Sequence, residues 1–260
     1  MKDKIASLVS RVTPCLAGGI AALIAFTTLP GHAAGVVTTA TWGANSGSWN
    51  LGTNWSSTPD FPSGVGASAI FESNQTAKRT VTLGENITVG SLFINNSTAF
   101  TNEISVLGAT TPVLTFDEAG SGPATLRVTG NATTANATPN NLFGEVFLND
   151  PLLISVEGTS STSAAGTLTL RQGRITGPGG ITKQGPGTLT FADNAKEFEG
   201  ALVVDEGRLR FNATALVTKT SGVTVNAGGQ LALDGTANYT FGGSASKVLT
   251  LNGSGLAAFP

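Results

Sequence analysis

Apolar residues two positions apart recur along most of the chain, and residues i and i+2 of a strand point to the same side. One series of such pairs runs Val81/Leu83, Ile104/Val106, Leu126/Val128, Val146/Leu148, Leu168/Leu170, Leu189/Phe191, Leu209/Phe211, Leu231/Leu233 and Leu249/Leu251. Its first members stand 23, 22, 20, 22, 21, 20, 22 and 18 residues apart. A less regular series falls between them: Leu92/Ile94, Leu114/Phe116, Leu152/Ile154, Leu202/Val204, Val223/Val225 and Tyr239/Phe241. Gly, Asn and Pro punctuate the intervals, so each unit of about 21 residues holds at least two short strands joined by tight turns.

A strand spacing near ten residues also suits an antiparallel sandwich. The longer period separates the two folds, because a sandwich has no reason to repeat at this interval, whereas a solenoid coil buries its apolar face only against copies of itself. The pattern predicts an all-β chain wound as a right-handed parallel β-helix of about nine coils, with the hand set by the general preference of parallel crossovers. Residues just after the paired positions, Asn149, Arg171, Ala192, Asn212, Asp234 and Asn252, are expected to form a corner column in which amides stack as a ladder. Thr80/Thr82, Thr167/Thr169 and Thr188/Thr190 are expected on an exposed outer face, where threonine favours strand.

The ends of the chain break the pattern. Residues 1–35 carry Lys2, Lys4 and Arg11, then the apolar run 15–29, then PGHAAG, the layout of a secretory signal cleaved near Ala34. That run is too short, and too interrupted by Gly18 and Gly19, to span a bilayer, so no membrane span is expected in the mature chain. Residues 36–75 hold all three tryptophans, Trp42, Trp49 and Trp55, and are read as an N-terminal capping module on a repeat solenoid of residues 76–260. The same rings are the candidate glycan contacts, since aromatic faces stack on apolar sugar faces. Burial against the first coils is the preferred reading, because residue type alone does not make a site.

Only 12% of the residues are charged, and Ser, Thr and Asn supply the polar surface. Removing residues 1–35 takes Lys2, Lys4, Arg11 and Asp3, leaving 11 basic and 15 acidic residues and a net charge of −4. Such a chain is poorly suited to nucleic acid. Cys15 and His32, the only thiol and imidazole, leave with the signal, and neither a cofactor nor a metal site is expected. A sugar-cleaving β-helix needs carboxylates gathered on one face. Of the candidates Asp117–Glu118, Asp193 and Asp205–Glu206 with Arg208 and Arg210, Asp117 and Asp205 fall several coils apart and Asp205–Glu206 reads as a solvated turn, so no catalytic residue is expected; the competing reading is a glycan-binding or glycan-cleaving β-helix.

GGITKQGPGTLTF followed by EGALVVDEGRLRF resembles the autotransporter-associated β-strand repeat. Gly180, Lys183, Gly185, Gly187, Thr188 and Leu189 match its first half, Gly200, Val204, Gly207 and Leu209 its second, and SGVTVNAGGQLAL echoes the latter. The resemblance implies a bacterial passenger protein, exported to the periplasm or cell surface, structural or adhesive rather than catalytic. Its partners would be surface glycans or other cell-surface proteins. The family's outer-membrane barrel does not follow, so a truncated passenger is expected. N-terminal sequencing of the chain recovered outside the cytoplasm should begin between Ala34 and Val36, and recovery of an intact Met1 terminus contradicts the signal reading.

Overall fold

The computed structural model describes residues 39–72, 77–95, 102–105, 112–129, 140–158, 166–212, 217–234, 241 and 248–252, all within the unit Ala34–Pro260. The expected signal, residues 1–35, lies outside them. The described chain is all-β except for a 3-10 turn at Gly52–Asn54. Its strands stack in three ladders.

The first ladder joins Thr39–Thr41, Ser68–Phe71, Ser91–Asn95, Ala124–Thr129, Leu152–Val156 and Ile181–Gln184. It continues through the first residues of the long strands Leu202–Asn212 and Val223–Asp234 to Leu249–Leu251. The second joins Gly47–Ser48, Arg79–Thr82, Asn102–Ser105, Asn140–Phe143, Thr167–Arg171 and Thr188–Ala192 to the last residues of the same two long strands. The third is a separate five-stranded sheet of Ile87–Val89, Val113–Phe116, Glu145–Leu148, Ile175–Gly177 and Lys196–Phe198. The chain visits the three ladders in rotation from Ser68 to Phe198, and every strand pairing is parallel, so the sheet curls in the manner of a solenoid. An isolated antiparallel bridge, Trp42 to Trp55, departs from that rule.

Residues alternate inward and outward along each strand, and the inward ones stack like over like. Ala40, Ala69, Leu92, Leu126, Ile154, Lys183, Val204, Val225 and Leu251 form one such column. Leu168, Leu189, Leu209 and Leu231 form another in the second ladder, as the sequence spacing predicts.

The rest of the spacing argument needs correcting. Leu126/Val128 and Leu249/Leu251 belong to the first ladder and Val146/Leu148 to the third, so the near-uniform series of nine pairs is not one column. True partners are 21 residues apart at Ile181/Leu202 and Leu202/Val223, but 34 apart at Leu92/Leu126 and 26 at Val223/Leu249. The turns vary in length while each ladder carries the same apolar i, i+2 signature, so a fixed spacing slips from one ladder to another. The corner column dissolves in the same way. Ala192, Asn212 and Asp234 are in register, whereas Asn149 follows a third-ladder strand and Asn252 a first-ladder one. The threonine face is corrected too: Thr167, Thr169, Thr188 and Thr190 are buried. Alternation assigns them to the outer side of their strands but cannot say what encloses that side.

Backbone at successive corners approaches closely. Gly185 and Gly207 both have left-handed φ, +76° and +71°, a region most side chains disfavour. A Cβ on Gly207 would lie 2.3 Å from the carbonyl oxygen of Gly185. Gly207→Ala should therefore destabilise the fold by more than about 1 kcal/mol, read as a lowered midpoint in denaturant unfolding; an unchanged midpoint contradicts this corner geometry.

Candidate functional site

The three candidate tryptophans converge. Trp42 and Trp55 meet edge to face with centroids 5.0 Å apart, Trp49 and Trp55 at 4.9 Å, and Phe71 lies 5.5–5.7 Å from each of the three. The indole of Trp49 donates to the carbonyl of Pro62 at 2.9 Å, and that of Trp55 to the carbonyl of Trp49 at 2.6 Å. Trp42 and Trp49 are 0% exposed and Trp55 3%. Stacking on a sugar needs an open ring face. These rings face one another and Phe71 and belong to the hydrophobic core.

The carboxylate candidates stay apart. Asp117 follows a third-ladder strand, and Asp205 lies in the bulged stretch of Leu202–Asn212, with Leu152–Val156 and Ile181–Gln184 stacked between their coils. The backbone N–H of Glu118 donates to the carboxylate of Asp150 at 2.7 Å. Asp205 accepts from the side chains of Gln184 at 3.3 Å and Asn226 at 2.6 Å, and Asn226 in turn accepts from Asn252 at 3.1 Å. This is an amide ladder of the kind foreseen, at a different corner.

Outward cations are also engaged along the stack. Arg171 pairs with Asp193, Arg210 with Asp234, Arg174 and Lys219 with Glu197, and Arg208 donates to Gln230. Arg127 pairs with Glu157, whose carboxyl is held below its usual range mainly by that hydrogen bond.

Among the described residues three cations lie inside the stack, and sequence reasoning did not single out their burial. Lys183, in the first ladder, donates to the carbonyl oxygens of Gln184 (2.8 Å), Gly185 (2.6 Å) and Glu206 (3.0 Å). Lys196, in the third, donates to those of Gly173 (3.1 Å), Ala192 (3.0 Å) and Asn194 (2.8 Å). Arg79 reaches the Glu72 carbonyl and the side-chain oxygen of Asn102 and lies 5.9 Å from the centre of the Phe71 ring. The backbone N–H of Asn102 in turn donates to the side chain of Asn140, 3.0 Å.

Burial lowers all three cations from their ordinary values. Lys183 falls to about 8 against the pull of Glu206, Lys196 to about 8 against Asp193 and Glu145, and Arg79 moves in the same direction. The three carbonyl acceptors around each lysine amine match the three donors of an ammonium. The signal for them was available: Lys183 stands two residues after inward Ile181, and Lys196 two before inward Phe198.

Among the described residues no group of three or more His, Cys, Asp or Glu is placed to hold a metal, and no helix is long and apolar enough to cross a membrane. No family model matches the chain, and neither does any curated protein or solved structure. Trp55→Ala should cost about 3–5 kcal/mol, the range for a buried aromatic, measured by chemical denaturation; a loss under 1 kcal/mol would mean the ring is not part of the core.

Proposed function

We propose that this chain is a secreted bacterial β-helical repeat protein of the autotransporter-passenger kind, a structural or adhesive element of the cell surface and not an enzyme. On this reading the strands wind as a right-handed parallel β-helix of about nine coils, and the tryptophan module at residues 36–75 covers its first coil. The observation that carries the proposal is the destination of the polar side chains. Outward arginines and carboxylates bind the next rung, as Arg210 does Asp234, and Asp205 is engaged by two amides. Inward lysines close corners. Chemistry committed to holding coils together suits a rod that presents its surface to glycans or to other cell-surface proteins.

The motif residues behind the family resemblance fit the same role. Lys183 and Gly185 build one corner and Gly207 stacks on it, so the repeat signature reads as architecture.

The purified chain, incubated with a panel of bacterial and host polysaccharides, should release no product. Product release that disappears in Asp205→Asn would overturn the non-enzymatic reading. Cell fractionation of the producing bacterium should place the protein in the periplasm or on the surface; retention in the cytoplasm contradicts the proposal.

A further inference from the structure

The two buried lysines share a geometry that goes beyond filling space. At each, a corner residue with left-handed φ precedes or follows the amine in sequence: Gly185 at +76° for Lys183, and Asp193 at +64° for Lys196. Such residues turn successive carbonyls away from the sheet plane. At the Lys183 corner two carbonyls come from the lysine's own coil and one, that of Glu206, from the next. At the Lys196 corner two come from its own coil and one, that of Gly173, from the preceding one. Three carbonyl dipoles from two coils therefore converge on a point, at 2.6–3.0 Å in one case and 2.8–3.1 Å in the other. Both lysine side chains are fully enclosed.

An ammonium has three donors and no acceptor, so it matches three converging acceptors without leaving an orphan. A guanidinium is planar and cannot. Convergent backbone carbonyls are also how proteins replace the hydration shell of a monovalent cation.

We propose that these two corners are internal sites for a monovalent cation, each occupied by a tethered lysine. The fold at residues 173–206 then depends on a cation within the stack, and not on apolar contact alone. Removing the side chain but leaving the corner creates a site that free ammonium, methylammonium or potassium can occupy.

The test uses the full chain as wild type, Lys183→Ala, Lys196→Ala and Lys183→Met. Thermal melts are run in ammonium, methylammonium, potassium and choline chlorides at equal ionic strength. The Ala variants should melt several degrees higher in ammonium, methylammonium or potassium than in choline, while wild type responds equally to all four. Lys183→Met, whose side chain has a similar length without the charge, should melt below wild type in every salt. Ala variants that respond alike to the four salts, or fold in none of them, overturn the proposal. A Met variant as stable as wild type overturns it as well, because the corner would then need no cation.

Discussion

Parallel stacking of each strand on a like strand is the constraint from which the other features follow. A row of apolar side chains on one coil is shielded only when the next coil lies over it. Val225 is 6% exposed beneath Leu251, which occupies the same column one rung further on and is 64% exposed. Burial thus belongs to the stack and not to any single coil, as expected of quasi-one-dimensional repeats.

Stacking satisfies strand backbones but leaves a problem at the corners, where the chain turns and carbonyls lose their ladder partners. Buried, unpaired carbonyls cost free energy. The chain meets this in several ways. Glycines at 185 and 207 let two turns nest; the side chains of Gln184, Asp205, Asn226 and Asn252 link into a ladder along that same corner; and Lys183, Lys196 and Arg79 carry donors into the interior. Each device uses different residues, which is why the corners look irregular in sequence while the strands look uniform.

That contrast decides how much was legible. The class of fold could be read from i, i+2 apolar pairs, and the alignment of Leu168 with Leu189 and Leu209 was correct because the turns there keep a constant length. Between residues 92 and 181 the turns lengthen unequally, and the series passed from ladder to ladder without any local sign. The tryptophans stood out in the sequence, but composition could not show that their faces meet one another; five ring contacts and two indole hydrogen bonds do. The lysines were hidden by a habit of reading. Charge suggests surface, whereas their inward phase in the strand was the better guide.

The column that contains Lys183 has Ile154 on one side and Val204 on the other, and Lys196 stands opposite Ile175. Solenoids lengthen readily by tandem copying of a coil, and residues 181–201 are the natural unit to copy. A faithful duplicate would set one ammonium about 4.8 Å from another, and at an effective dielectric near 20 their repulsion is about 3 kcal/mol. A repeat that keeps this lysine is therefore best separated from its next copy by a rung with an aliphatic residue in the column, as Ile154 and Val204 separate Lys183 here.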